Sequence, residues 1–273
     1  MALTESQTTV LRLLTEKRRS ATGSYIAGGA ALNQVLGTGR RSNDRYLFHD
    51  TTEALQNTWD DDKKTLLDNG FAVEVEREAP SFIDADIVRG SEHVLIQWAR
   101  DSAFRFFPLV EDKVLGLTLH PLDLATNKIL ALAGRLEPRD WIDTIECHRH
   151  IQPLGYLMWA ACGKDPGINP QVLLADAGRF HYSQQEIDPL DFEGETPSAA
   201  LLSTGWKEAL MTAAELIAGL PDEHLGECIL DSDRALYKGS AEQFGRDFVA
   251  GNLRFHKGSI HGAWPQIVRT EIP

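Results

Sequence analysis

At the start of the chain, Val10, Leu11, Leu13 and Leu14 recur at helical spacing, and Lys17-Arg18-Arg19 follow. This predicts an amphipathic helix over residues 4–20, with cations where the helix dipole favours them. Residues 24–27 then read as a short strand, Gly28-Gly29 as a break, 30–36 as a short helix and 46–49 as a second strand. Thr51 or Thr52 can cap a helix that stops at Asn69-Gly70. Within it, Asp60-Asp61-Asp62 reads as a solvated acidic turn. The period then changes. Segments 71–77, 82–88, 94–99, 104–109 and 116–119 are short and alternate or run apolar between turns, which predicts an antiparallel meander. Asp84 and Asp86 share one face of their strand, and the opposite face is apolar, so they read as the wet face of an edge strand. From Pro121 the helical period returns over 122–135, 137–151, 153–162, 170–178 and 206–220. Residues 183–197 read as a loop, and 255–273 are aromatic and irregular and yield no element. The pattern predicts an α+β fold. A mixed α/β lobe spans 1–120, a mostly helical lobe spans 121–273, and a ligand cleft is expected between them.

Composition narrows the partners. The chain has 273 residues, 42% of them hydrophobic, and a net charge of −13. Nucleic-acid phosphates are neutralised by Lys and Arg, so non-specific binding over the whole surface is excluded and only a local basic patch could serve. Lys17-Arg18-Arg19 and Arg40-Arg41 are the two such runs, and both read as solvated helix and loop charges before they read as a patch. An acidic surface also suits a basic protein partner. No apolar run reaches the roughly 18 residues of a membrane helix, and the first residues lack the basic and apolar regions of a secretory signal. Cys147, Cys162 and Cys228 are odd in number and widely spaced, which predicts neither a disulfide framework nor a zinc site and fits a reducing cytoplasm.

The candidate chemistry gathers in two stretches. Gly28-Gly29 closes a strand and opens a helix, the setting in which backbone amides can approach phosphate. Asp44 follows about fifteen residues later and reads either as a metal ligand or as a loop residue capping a turn with Ser42. In an Asp-x-Asp pair on a strand both carboxylates share a side. Here Tyr46 holds the second position, and a phenol ionising near pH 10 cannot replace it at neutral pH. His49 and Asp50 lie nearby, but Asp50 is roughly 20 Å along an extended strand from Asp44. Asp101 reads as a third acid or a turn residue. In the second stretch, Lys128 and Arg135 share a helix face, Pro138 opens the next helix, and Arg139, Asp140 and Asp143 fall within its first turns. Arg139 and Asp143 are spaced to pair. The stretch reads as a row of cations for phosphates with nearby acids, or as an ion-pair network joining two helices.

Together these residues resemble the AbiEii/AbiGii toxin family, which is nucleotidyltransferase-like and of polymerase-β type. The shared pieces are strand-Gly-Gly, the Arg-x-Ser-x-Asp…Phe-His-Asp stretch over 40–50, and Lys128…Arg135…Arg139-Asp140-x-x-Asp143. They cover residues 20–150. The resemblance implies Mg2+-dependent transfer of a nucleotidyl group from a nucleoside triphosphate to an acceptor, an RNA such as tRNA, with a separate antitoxin protein as partner. By position it implies Asp44 as metal ligand and Gly28, Gly29, Ser42, Lys128 and Arg135 as nucleotide-binding residues. Asp44, Lys128, Asp140 and Asp143 are the implied catalytic set. Tyr46 departs from the pattern, and the alternative is a catalytically impaired relative acting as a nucleotide-binding or protein-interaction module.

Overall fold

The computed structural model describes residues 5–16, 24–42 and 46–265. The run Lys17-Arg18-Arg19 and the candidate ligand Asp44 lie outside the described residues. The architecture is α+β, as the pattern predicts. A seven-stranded mixed sheet has the order β3-β4-β5-β2-β1-β8-β7. Three strands form the expected meander: β3 (Ala72–Ala79), β4 (Phe82–Arg89) and β5 (Glu92–Arg100), paired antiparallel. The rest of the sheet joins distant segments. β5 runs parallel to β2 (Tyr46–His49), β2 antiparallel to β1 (Ser24–Ala27), and β1 parallel to β8 (Gly116–Thr118), which β7 (Val110–Asp112) completes.

One face of the sheet is the main core. Ile83, Ala85 and Ile87 of β4 and Val94, Ile96 and Trp98 of β5 are buried there, under α1 (Glu5–Glu16) and α3 (Thr52–Asp68). Thr51 caps α3 by accepting from the Ala54 amide. Trp59 of α3 meets Trp98 edge-on at 4.7 Å, and the Trp98 indole N–H donates to Asp62 at 2.7 Å. A buried indole needs an acceptor, so Asp62 is a buried residue inside a helix, not part of a solvated acidic turn. The wet-face reading of Asp84 and Asp86 also changes. β4 is an inner strand, the edge is the Glu-rich β3, and Asp84 is buried and accepts from Gln97 at 3.3 Å. Charges on the outermost strand protect it from edge-to-edge pairing.

The segment expected as a strand over 104–109 leaves the sheet. β6 (Phe104–Arg105) pairs with β11 (Ser259–Ile260), from the tail that yielded no element in the sequence. The cause is Asp123, whose carboxylate accepts the amides of Phe106 and Phe107 at 2.9 and 3.1 Å and draws the segment to the next helix.

The helices that follow are α4 (Pro121–Gly134), α5 (Pro138–His150), α6 (Leu154–Ala161), α7 (Pro170–Ala177) and α9 (Ala199–Gly219). All eight residues of α6 are buried, which is why it shows no polar face. A one-turn helix α8 (Gln184–Ile187), closed by a Ser183/Glu186 capping box, interrupts the expected loop. α9 begins seven residues before the expected start, because Ser198 caps it at the Leu201 amide. Beyond it lie β9 (Cys228–Leu230), α10 (Ala241–Val249) and β10 (Arg254–His256), with β10 paired to β9. One apolar cluster runs from Val10 of α1 to Leu230 of β9. Among the described residues no helix is long and apolar enough to cross a membrane.

Candidate functional site

The site is built where β1 gives way to α2 (Gly28–Leu36). Gly28 takes φ +76°, a conformation few side chains tolerate. A Cβ on Gly29 would stand 2.7 Å from Nη2 of Arg40 and 3.1 Å from Oγ of Ser42, so the backbone here lies hard against two side chains. Ala27, the residue that enters α2, offers no side-chain cap, and no acid lies in the first turn. The first amides of a helix have no intrahelical acceptor and carry its positive end, which suits an anion.

Gly28 and Gly29 form one wall of a cavity of about 190 Å3, also lined by Arg40, Ser42, Tyr46, Phe48, Lys128, Arg135 and Arg139. Residues that the resemblance groups as nucleotide-binding are therefore neighbours. Ala27 pairs with Tyr46 across β1 and β2, which brings the second strand to the glycine turn. Tyr46 stacks on Phe48 at 5.4 Å and lies 3.6 Å from where a Gly28 Cβ would stand.

Behind this wall the charges interlock. Lys128 of α4 approaches Asp140 and Asp143 of α5, each at 2.8 Å. Arg135 holds Asp140 through Nε at 2.7 Å, and Arg40 forks onto Asp143 through Nε and Nη2, both at 2.8 Å. Asp140 is 0% exposed and Asp143 1%. Burial works against charge on Lys128, yet Asp143 and Asp140 outweigh it and hold its pKa above the ordinary value. Burial would raise Asp140, but Lys128 and Arg135 hold it below the usual carboxylate range. Asp140 is thus a firmly ionised anchor and a poor proton acceptor. An ammonium has three donors and a guanidinium five. After the carboxylates are served, Lys128 keeps one and Arg135 keeps Nη1 for a ligand. Arg40 spends its third nitrogen on the Arg41 carbonyl at 3.2 Å.

Sequence reasoning grouped Lys128, Arg135, Asp140 and Asp143 but missed Arg40 as the partner of Asp143. It spaced Arg139 to pair with Asp143, whose partners are Arg40 and Lys128. Arg40 is held by a pairing with the distant 191–193 segment: it bridges Phe192, and the Arg41 amide donates to Asp191 at 2.8 Å. The other acids go elsewhere. His49 is buried, with Nδ1 3.3 Å from the Ala99 carbonyl. Asp50 is forked by Arg105 at 2.7 and 3.2 Å, and Asp101 lines a separate cavity of about 160 Å3 with Tyr25 and Lys164.

The described donors suit an anion. The cavity presents four cations, and the two acids behind it are both occupied by cations. Among the described residues no group of three His, Cys, Asp or Glu side chains could hold a metal. The described donors therefore suit an anion, and the candidate metal ligand Asp44 lies outside the described residues.

No protein-family model matches the chain, and no curated protein matches it. Solved structures do. A candidate nucleotidyltransferase from H. pylori superposes with TM-score 0.55 at 13% identity, covering 80% of this chain and 99% of that one. JHP933 from Helicobacter pylori gives TM-score 0.55 at 14% identity over 79% and 95% of the two chains. MenT4, a nucleotidyltransferase toxin from Mycobacterium tuberculosis H37Rv, gives 0.49 at 16% over 80% and 83%. The first two likenesses establish the fold: a nucleotidyltransferase-like mixed sheet with flanking helices.

Proposed function

We propose that the chain binds the phosphates of a nucleoside triphosphate against Gly28, Gly29, Ser42, Lys128 and Arg135, and transfers a nucleotidyl group to an acceptor in the manner of the AbiEii-type toxins. The observation that carries this reading is the single cavity in which the glycine turn meets a lysine and three arginines, in a chain of net charge −13. Its volume is below the roughly 300–1,000 Å3 of ordinary ligand pockets, so it takes the phosphate end while the nucleoside extends outward. Asp140 and Asp143 act as positioning residues that hold Lys128, Arg135 and Arg40 at the wall. Mg2+ enters this reading only through Asp44 and the triphosphate itself. The acceptor is an RNA such as tRNA, and the acidic surface suits a basic antitoxin.

A second reading is favoured by Tyr46. It occupies the place of the second metal-binding acid and its ring lines the cavity, so the chain would bind nucleotide without transferring it. Losing one carboxylate from such a site costs orders of magnitude in rate, since charge stabilisation is commonly the largest catalytic contribution. The two readings separate when this chain, Asp44→Ala and Tyr46→Asp are each incubated with α-labelled nucleoside triphosphates, Mg2+ and total RNA. Label transfer by this chain that disappears in Asp44→Ala is expected for the first reading. Transfer only by Tyr46→Asp belongs to the second. Absence of both nucleotide binding and transfer in all three removes both.

A further inference from the structure

A second cavity lies away from the proposed phosphate site. It measures about 780 Å3, within the range of ordinary ligand pockets. The two cavities sit at opposite ends of the same helices. Gly28 and Gly29 open α2 at the phosphate wall, whereas Val35 and Leu36 at its far end line the large cavity. α4 likewise brings Lys128 to one and Pro121 to the other, and α5 brings Arg139 to one and His150 to the other. A nine-residue helix separates the two by roughly 13 Å.

The large cavity has an aromatic side and a cationic side. Phe107 lies 4.1 Å from the ring of His120 and 5.7 Å from that of Trp264. Trp264 is 58% exposed, whereas each of the other five tryptophans is 3% exposed or less. His120 accepts the Leu122 amide through Nδ1 at 3.2 Å, which leaves Nε2–H as a donor. Arg234 also lines the cavity, at φ +66°. Asp231 fixes that conformation: its carboxylate accepts the amides of Asp233 and Ala235, both at 2.9 Å, and its carbonyl accepts the Arg234 amide at 3.0 Å. Left-handed backbone at a bulky residue is costly and recurs where a side chain must be presented. Lys238 adds a second cation, anchored on the His150 carbonyl at 3.0 Å, and Asp233 is the one acid in the lining.

We infer that this cavity is a second ligand site, for a flat aromatic ring bearing an anionic group, with the ring on Phe107 and Trp264 and the anion on Arg234. A nucleoside monophosphate and an aromatic carboxylate share that chemistry. The inference does not depend on the phosphate cavity being a transferase site.

The test is calorimetric titration of the full chain with adenosine monophosphate, benzoate, adenosine and inorganic phosphate, with tryptophan emission followed in parallel. Trp264 is the exposed fluorophore and reports the site directly. Saturable binding of adenosine monophosphate or benzoate at millimolar concentration or below is expected, and which one binds tells the anion's source. Adenosine and phosphate alone should bind at least tenfold more weakly. Arg234→Gly, which removes the side chain while glycine accepts the same φ, and the surface change Trp264→Ala should each weaken binding at least tenfold. Failure of every probe to saturate overturns the inference. So does adenosine binding as tightly as its monophosphate, or binding that survives both substitutions.

Discussion

Two lysines are buried against aspartates around α4, and their pKa values move in opposite directions. Lys164 is enclosed by Asp123 Oδ1 at 2.9 Å, the Asp123 carbonyl at 3.2 Å and Asn127 at 2.7 Å, so each of its three donors has an acceptor. Burial prevails to lower its pKa against its one ion-pair partner Asp123 and the weaker pull of Asp101, with Arg105 adding to the lowering. Lys128, about one and a half turns from Asp123 and across the helix, faces two carboxylates, and its pKa is raised. The first cluster is spent on holding chain together, because Asp123 also takes the Phe106 and Phe107 amides. The second keeps spare donors and opens on a cavity. Burial alone therefore does not mark a functional lysine. What distinguishes Lys128 is an excess of paired charge with donors left over.

This contrast is broken most forcefully at Asp123. Asp123→Ala strands the Lys164 ammonium and two backbone amides. Breaking a buried pair from one side costs about 3–5 kcal/mol, and urea denaturation should show a loss of that size. Nucleotide binding by protein that remains folded should be unchanged. Lys128→Met should behave the other way. Asp140 keeps Arg135 and Asp143 keeps Arg40, so no carboxylate is abandoned. The loss should be nearer 2 kcal/mol, the scale of a hydrogen bond to a charged group. Triphosphate affinity, measured by calorimetry, should fall at least tenfold. Equal destabilisation by the two substitutions with no change in binding would make Lys128 a second staple.

Acid offers a way to sharpen the same contrast without touching either lysine. His120 caps α4 with Nδ1, and burial, with His256 adding to it against the opposing Asp123, lowers its pKa to about 4. An unfolded histidine takes its proton near pH 6.5, so between those values the unfolded state holds more protons and stability falls as pH drops. At 1.36 kcal/mol per pH unit the loss reaches about 3 kcal/mol by pH 4. Lys128 and Asp140 contribute little slope over most of that range. Asp140, with its pKa lowered, stays ionised until the pH falls below the ordinary carboxylate value near 4, and Lys128, with its pKa raised, stays charged until the pH rises past about 10.4. His120→Asn retains a capping acceptor and should flatten the stability profile between pH 6.5 and 4. An unchanged slope would assign it to other histidines.

The sequence made one half of this picture legible. Lys128, Arg135, Asp140 and Asp143 lie within sixteen residues, and helical spacing places them on facing sides of consecutive helices. Gly28-Gly29 was legible because a strand that ends in two glycines needs a reason for them. Arg40 was not, since its partner Asp143 is 103 residues away and the segment that holds Arg40, 191–193, read only as loop. Asp62 was misread for a related reason. Its polarity signalled solvent, and the buried indole that recruits it is 36 residues distant. The tail escaped altogether because β10 and β11 are three- and two-residue strands whose partners, β9 and β6, are far off in the chain. Periodicity reports what a residue's own element needs, not which distant group will complete it.

The smallest expected effect tests how stiff the phosphate wall is. A methyl at Gly29 would meet Arg40 Nη2 at 2.7 Å, closer than atoms can pack. A free arginine would swing aside at little cost, but this one is held by two hydrogen bonds to Asp143. Gly29→Ala must therefore either loosen that fork or shift the start of α2, and overpacking of this kind costs about 1–3 kcal/mol. In Gly29→Ala combined with Arg40→Ala the contact with the guanidinium disappears and only the looser one with Ser42 remains, so the two substitutions should be less than additive in denaturation. Strict additivity would mean that Arg40 yields freely, and that the carboxylates behind the wall do not fix the position of the cations in front of it.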